Sequence, residues 1–307
     1  MKEGDMVATT VIVNPTAGRG AGVRLTSKIA EHLRSYGLEF ELSLTTAPGD
    51  ASVLAREAAA RGCEAVIAVG GDGTTNEVLN GLMKATQDAN GTALGVVPIG
   101  TGNDFAFGAG VPLRLLEACQ AVARGESRIL DVGRMHADNE EPRYFLNGVG
   151  MGFDAQANIE SRKIKRLRGT LLYVVAVLRT LAFYYYSPRI TLHVDGDELV
   201  QPSLLISVMN GRRMGGGFYI TPSSKMDDGL FDFCVAAQVS RPKMVAFVPR
   251  FMRGTHTTDV DITMGQGREI TVISESPWVA HLDGEIYGVG ARRYEIKLLP
   301  QRLRLIC

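Results

Sequence analysis

The strongest constraint on this chain is a local pattern that recurs. An apolar, β-branched run is followed by a glycine-rich turn and then by a helix-period stretch. Its sharpest instance is Val69-Gly70-Gly71-Asp72-Gly73-Thr74-Thr75-Asn76-Glu77. Ala65 to Val69 has the composition of a buried strand, and Val78, Leu79 and Leu82 share a helical face. Strand, turn and helix together present free backbone N–H groups to an anion. The glycines permit positive φ and close backbone approach. Asp72 is the unusual member. A carboxylate beside a phosphate repels it unless a cation or a transferred proton reconciles the two. The stretch therefore predicts a nucleotide phosphate site with Mg²⁺ close by, although Gly-Asp-Gly alone is also a common turn.

The same pattern appears on either side. Val7 to Val13 reads as a strand ending in Asn14-Pro15-Thr16-Ala17-Gly18-Arg19-Gly20, and Leu25, Ile29, Leu33 and Tyr36 mark a helix stopped by Gly37. Phe40, Leu42 and Leu44 alternate as a second strand, followed by Thr45 and Thr46 and by a helix capped by Asp50 or Ser52. Leu94 to Ile99 is a further strand, ending in Gly100-Thr101-Gly102-Asn103-Asp104-Phe105, with a helix around Leu113 to Arg124. This alternation predicts an α/β unit with a parallel sheet covered on both faces. Its ligand site belongs at the strand C-terminal ends, where all three glycine-rich loops fall.

Beyond Ile129 strand patterns dominate: Arg143 to Val149, Arg189 to Val194, Leu204 to Met209, Leu230 to Ala236, Ile270 to Ile273 and Trp278 to Leu282. Helical patterns cross Ile164 to Tyr186 and Pro242 to Met252, and Tyr294 to Ile306 returns to strand. A β-rich, antiparallel second domain is expected. Basic and acidic residues balance at 33 each, so no global field draws the chain to nucleic acid. The scattered cysteines (Cys63, Cys119, Cys234 and Cys307) form no CxxC pair, which argues against zinc and fits a reducing cytoplasm. Met1 to Asp5 shows no signal peptide, and Leu171 to Tyr186, interrupted by Arg179, is short for a membrane span. It reads as a packed helix. The histidines show no ligand spacing, so single packing or surface roles are expected of them.

The patterns GxxxxGK[ST] and GxGxxG are both absent. In their place, Asn14-Pro15-Thr16-Ala17-Gly18, Gly70-Gly71-Asp72-Gly73-Thr74 and Pro98-Ile99-Gly100-Thr101-Gly102-Asn103-Asp104 occur in one order. Phe145 to Asp154, Lys225 to Asp232 and Leu282-Asp283-Gly284-Glu285 follow. This series resembles the diacylglycerol kinase catalytic family, which also includes sphingosine, ceramide and bacterial lipid kinases. The resemblance spans essentially the whole chain.

The resemblance implies an NAD-kinase-like α/β nucleotide domain, a β-sandwich lipid domain and an active site in the cleft between them. The nucleotide domain would be residues 1–130, completed by 291–307, and the lipid domain 131–290. ATP would contact Asn14, Pro15, Thr16, Ala17 and Gly18, a threonine after the second strand (Thr45 or Thr46), Gly70, Gly71, Asp72, Gly73, Thr74, Thr75 and Asn76, and Thr101. Asp283 is a candidate general base with Glu285 beside it. Residues i and i+2 of a strand share a face, so both could reach one site. Asp72 and Asp104 would complete a water-mediated Mg²⁺ network with Glu285. Lys225, Asp228 and Leu230 resemble a second, structural metal site, with hard oxygen ligands suited to Mg²⁺.

The implied reaction is ATP-dependent phosphorylation of a lipid hydroxyl, foremost diacylglycerol to phosphatidic acid. Other lipid acceptors, a soluble acceptor of the NAD-kinase type and a non-catalytic nucleotide- or lipid-binding regulator are the alternatives. Arg162, Lys163, Lys165, Arg166 and Arg168 place five positive charges in seven residues ahead of Phe183-Tyr184-Tyr185-Tyr186. A cytoplasmic protein peripheral at an anionic membrane surface is expected, although a solvated helix face would read the same way. Oligomeric state is open, with a homodimer compatible with the sequence.

Overall fold

The computed structural model describes residues 8–85, 91–164, 167 and 169–307. The expectations at residues 1–7 and at Lys165, Arg166 and Arg168 lie outside the described residues. Two compact units are present. One runs through Leu130 and regains Gln301–Cys307; the other is Asp131–Pro300.

The first unit alternates β1 (Thr9–Val13), α1 (Ala17–Ser35), β2 (Glu41–Leu44), α2 (Asp50–Ala60), β3 (Ala65–Gly70), α3 (Asp72–Ala85) and β4 (Ala93–Pro98), then α4 (Asp104–Gly108) and α5 (Leu115–Arg124). β1 lies between β2 and β3, and β3 pairs with β4, all in parallel. Leu305 and Ile306 add a parallel edge beside Leu94 and Gly95. β1, β3 and β4 are buried along their length, as strands covered on both faces must be. Val11, Ile29, Leu33, Ile67, Val97 and Val122 meet in the core.

Two local expectations change. The first helix opens earlier than its apolar face, at Ala17, but Gly18, Arg19 and Gly20 hold left-handed backbone inside it, so regular helix begins after them. Neither Asp50 nor Ser52 caps α2. The helix starts from left-handed Gly49, and the Asp50 carboxylate turns backward to accept the N–H groups of Thr46 and Ala47 and the Thr46 hydroxyl. Those bonds, the Thr46 hydroxyl first, hold the Asp50 carboxyl below the usual carboxylate range.

The second unit opens on β5 (Ser127–Ala137), which crosses from the first, and continues with β6 (Glu140–Phe145), β7 (Gly148–Gly152), α6 (Phe153–Lys163), α7 (Gly169–Phe183), β8 (Arg189–Val194) and β9 (Asp197–Met209). A short pair, β10 (Arg213–Met214) and β11 (Phe218–Tyr219), precedes β12 (Phe231–Ala237), α8 (Arg241–Arg253), β13 (Ile262–Gly267), β14 (Glu269–Leu282) and the long β15 (Glu285–Ile306). The sheet order β13-β12-β9-β7-β14-β15 is antiparallel throughout, with β8 bridging β9 and β14. One face packs around Phe145, Phe231, Trp278 and Tyr294. The other is covered by α8 and α7 through Phe247, Phe251 and Leu181.

The run Arg143 to Val149, read from sequence as one strand, is two. It breaks at Leu146-Asn147, whose N–H groups leave the ladder for a carboxylate. α6 was not anticipated, because Phe153–Lys163 carries few large apolar residues and buries small or polar ones instead: Ala155, Ala157, Asn158, Glu160 and Ser161. The apolar stretch from Leu171 forms α7, and among the described residues no helix is long and apolar enough to cross a membrane.

Candidate active site

The three glycine-rich loops of the first unit lock onto one another. Asn14 ends β1, and its Nδ2 donates to Thr74 Oγ1 at 2.9 Å. Its Oδ1 accepts from the backbone and hydroxyl of Thr16 at 3.0 and 2.8 Å. Gly18 has φ +57°, and a Cβ there would lie 2.3 Å from the Ile99 carbonyl oxygen. Gly71 and Gly100 pack backbone to backbone, so that a Cβ on Gly100 would come within 2.5 Å of Gly71 Cα. Each contact joins a different pair of loops, and two of the three exist only because glycine has no side chain. The loops follow β1, β3 and β4, whose parallel pairing brings their C-terminal ends to one edge.

Two carboxylates sit within this knot. Asp72 opens α3 and Asp104 opens α4, where helix N-termini favour negative charge. Asp72 Oδ1 accepts the Phe105 N–H at 3.0 Å, tying one helix start to the other. Both carboxylates flank Gly102: a Cβ there would lie 3.1 Å from Asp72 Oδ2 and 3.3 Å from Asp104 Oδ2. Asp104 is buried while Asp72 is partly open. Hard carboxylate oxygens of this kind suit Mg²⁺, which keeps several water ligands and takes one or two carboxylates besides phosphate oxygens. Among the described residues no three His, Cys, Asp or Glu side chains form a metal cage.

The remaining residues expected at a nucleotide divide by accessibility. Pro15, Ala17, Gly18, Gly71 and Gly73 are partly open, and Thr16 and Thr101 are exposed. Gly70 is buried at the end of β3, and its carbonyl accepts the Ile99 N–H. Thr74, Thr75 and Asn76 are buried and support the turn from beneath. Thr74 accepts from Asn14, the Thr75 hydroxyl donates to the Gly71 carbonyl at 3.2 Å, and Asn76 accepts from Asn80 at 2.9 Å. Of the two threonines after β2, Thr46 gives its hydroxyl to Asp50, and Thr45 is held through its N–H to the Val13 carbonyl.

In the second unit, Asp283 and Gly284 are the two residues that turn β14 into β15. Leu282 pairs with Glu285, and the turn residues have φ +47° and +88°. Two consecutive positive φ values match the twist of a tight hairpin, the known preference of Asp-Gly. The expectation that Asp283 and Glu285 share a strand face is therefore corrected, because the turn lies between them. Their environments differ sharply. The buried Asp283 carboxylate accepts three backbone N–H groups, from Leu146 at 2.8 Å, Asn147 at 2.9 Å and Gly148 at 3.0 Å. It thereby ties the hairpin to the break between β6 and β7. Glu285 is part-exposed, and its Oε2 accepts from Arg162 Nη2 at 3.1 Å.

Supporting residues appear that no motif distinguished. His281 is buried, and its Nδ1 accepts the Gly284 N–H at 3.3 Å. Asp154 stands 3.6 Å from His281 Nε2 and accepts the Ser207 hydroxyl at 3.2 Å. Asn210 Nδ2 bridges the carbonyls of Asp131 and Leu146. Asp154 and Asn147 fall inside the run noted from sequence, and Asn210 had no signal at all. At the third candidate site, exposed Asp228 accepts the Leu230 N–H at 3.1 Å, and Lys225 is exposed. The adjoining Gly229 N–H goes to Asp131 Oδ2 at 2.7 Å, so this turn too is anchored by a distant carboxylate.

Both members of the basic cluster that lie among the described residues, Arg162 and Lys163, have partners. Arg162 holds the hairpin, while Lys163 and Arg179 grip the buried Glu160 at 2.5 and 3.1 Å.

The chain matches two families in succession. Residues 8–135 match the diacylglycerol kinase catalytic domain, and residues 147–307 match the YegS C-terminal NAD kinase beta sandwich-like domain. A diacylglycerol kinase of Bacillus subtilis is 31% identical over 92% of this chain and 91% of its own length. A Bacillus anthracis diacylglycerol kinase structure superposes with TM-score 0.73 at 23% identity, covering 97% of this chain and 96% of that one. Yeast NADH kinase shares the fold more distantly, with TM-score 0.50 at 9% identity over 97% of this chain and 82% of that one.

Proposed function

This chain belongs to the diacylglycerol kinase catalytic family, and from that premise we propose that it transfers the γ-phosphoryl group of ATP to a membrane lipid hydroxyl, with diacylglycerol as acceptor and phosphatidic acid as product. The observation that carries the reading is the loop knot of the first unit. Partly open glycine backbone at Gly18, Gly71, Gly73 and Gly102 lies with Asp72 and Asp104 at one edge of a parallel sheet. Backbone N–H groups of such turns bind phosphate oxygens without side-chain rearrangement.

Asp72 and Asp104 would hold Mg²⁺, which when bound offsets the phosphate charge that the two carboxylates would otherwise repel. On the acceptor side the lipid hydroxyl oxygen bonds to the γ-phosphorus as the bond to the β-phosphate bridging oxygen breaks, and ADP leaves. The hydroxyl proton passes to a carboxylate. The Asp283–Glu285 hairpin supplies that carboxylate: Asp283 accepts three backbone N–H groups, and Glu285 accepts from Arg162.

The lipid is met at a bilayer. Leu171, Leu178, Phe183, Tyr184 and Tyr186 are exposed on and after α7, and Phe183 is 72% accessible. Exposed aromatics and aliphatics beside cations are the composition of an interfacial contact. With Arg162 and Lys163 engaged internally, the attraction to anionic lipid falls on Lys165, Arg166 and Arg168.

Incubation with labelled ATP, Mg²⁺ and mixed micelles of diacylglycerol, ceramide, a sphingoid base or phosphatidylglycerol tests the assignment, with NAD as a soluble acceptor. Label in phosphatidic acid is expected. Label in another lipid changes the acceptor and keeps the reaction. Label in NAD alone, or ATP binding with no transfer, defeats the proposal.

A further inference from the structure

One row of the antiparallel sheet leads from the β14–β15 hairpin to a buried polar group. His281 of β14 pairs with Gly150 of β7, and Gly150 pairs with Ser207 of β9. Ala280 and Leu282 join the core on one face of the sheet, so His281 points to the other. There the first turn of α6 sets Asp154 over Gly150. Asp154 Oδ2 accepts the Ser207 hydroxyl at 3.2 Å on one side and faces His281 Nε2 at 3.6 Å on the other. A Cβ on Gly150 would lie 2.2 Å from Asp154 Oδ2 and 2.5 Å from His281 Nε2. The φ of Gly150 is not left-handed, so glycine is needed here for room rather than for backbone conformation.

His281 is 1% exposed, and both ring nitrogens are committed to a direction. Nδ1 accepts the Gly284 N–H at 3.3 Å. The proton of the neutral ring is therefore on Nε2, directed at Asp154. The opposite tautomer would set two donors against each other at Nδ1 and a lone pair against a carboxylate at Nε2. At 3.6 Å the contact with Asp154 is electrostatic rather than a hydrogen bond. The Gly284 N–H belongs to the central peptide of the hairpin turn. Positive φ at both Asp283 and Gly284 fixes one orientation of that peptide, and reversing it gives the alternative hairpin turn, with negative φ at Gly284.

We propose that His281, oriented by Asp154, is a positioning residue for the Asp283–Gly284 turn. By holding the central peptide it keeps the hairpin in the one arrangement that presents its carboxylate to the acceptor hydroxyl. The effect of His281 on turnover rests on the phosphoryl transfer proposed above; its tautomer does not.

Two measurements on the full chain test this role. NMR of isotope-labelled histidine nitrogens at neutral pH, with the His281→Asn spectrum assigning the signal, should show the proton on Nε2 and none on Nδ1. A proton on Nδ1, or a ring exchanging between the two tautomers, would overturn the proposal without any assay of activity. The second measurement is turnover in diacylglycerol mixed micelles with ATP and Mg²⁺. An asparagine amide oxygen falls where Nδ1 does and can accept the Gly284 N–H, whereas the longer glutamine carries its amide out toward Asp154. His281→Gln should therefore lower kcat about ten- to a hundredfold at unchanged KM for ATP, the scale of a misplaced catalytic group, while His281→Asn retains most of it. Asp154→Ala should lower kcat in the parent but hardly further in the His281→Gln background, the non-additivity of residues that act as one. Equal kcat in His281→Gln and His281→Asn, or multiplicative losses for Asp154→Ala and His281→Gln, would overturn the positioning role and leave the kinase reading intact. A parent protein that phosphorylates no lipid would overturn the kinase reading and the positioning role with it.

Discussion

Replacing Asp283 by Asn should separate architecture from chemistry in the β14–β15 hairpin. Asn tolerates left-handed backbone nearly as well as Asp, so the φ of +47° is not at issue. The carboxylate is. Oδ1 accepts from Asn147 and Gly148 N–H, and Oδ2 from Leu146 N–H at 2.8 Å. An amide can keep one oxygen on the first two donors, but it then points its NH₂ at the third. One buried N–H left unsatisfied costs about 1–3 kcal/mol, and the loss of charge assistance on two more bonds costs about 1 kcal/mol each. The sum is about 3–5 kcal/mol, or roughly 10 °C in melting temperature for a unit of this size. Glu285→Gln breaks only a half-exposed ion pair, worth about 0.2–1 kcal/mol. It should melt within a few degrees of the parent while losing turnover. Thermal and urea melts by circular dichroism, run beside the kinase assay, measure both quantities. An Asp283→Asn protein that melts with the parent would refute the reasoning.

Asp72→Asn keeps the oxygen that accepts the Phe105 N–H but loses the charge beside Asp104, so kcat should fall by about 10²-fold or more while the melting temperature moves little; near-parental turnover would remove Asp72 from the phosphate site. Gly100→Ala drives a methyl to 2.5 Å from Gly71 Cα and should part the two loops, costing about 1–3 kcal/mol and weakening ATP binding, as read by calorimetry with a nonhydrolysable analogue. His256 gives a pH dependence. It is fully buried, stacks on Phe251 at 3.7 Å and donates from Nε2 to the Ile220 carbonyl at 2.9 Å; burial above all holds its proton affinity down. With the folded value depressed, the unfolded chain takes up the proton first, so the stability His256 contributes is present above about pH 6.5 and lost as pH falls below it. His256→Gln should melt lower at pH 7.5 but with a shallower decline between pH 7 and 5; parallel curves would show that His256 is not the titrating group.

Much of the fold was legible because its signals are local. The order of strands and helices through Arg124, the short α4 apart, follows from periodicity and punctuation, and covered parallel strands need nothing more than unbroken apolar runs. The glycine loops were legible for the same reason: a positive φ or a forbidden Cβ leaves its mark on the residue concerned. α6 was hidden because it packs through Ala, Asn and Ser, which carry no apolar period. The break at Leu146-Asn147 was hidden because a residue more than a hundred positions away causes it.

The site divides along the same line. Residue types marked Asp72 and Asp104, and the family resemblance added Asp283 and Glu285, as the acids of interest. Sequence could not rank Asp283 against Glu285, since both follow Leu282 in four residues of one motif. Tertiary structure separates them by partner: three N–H groups from one distant turn satisfy Asp283, and one guanidinium from a distant helix holds Glu285. It also moves Arg162 from a cluster defined by charge to a contact defined by direction. Composition records that a charge is present; which group that charge faces depends on contacts between residues far apart in the chain, and only the folded backbone brings those together.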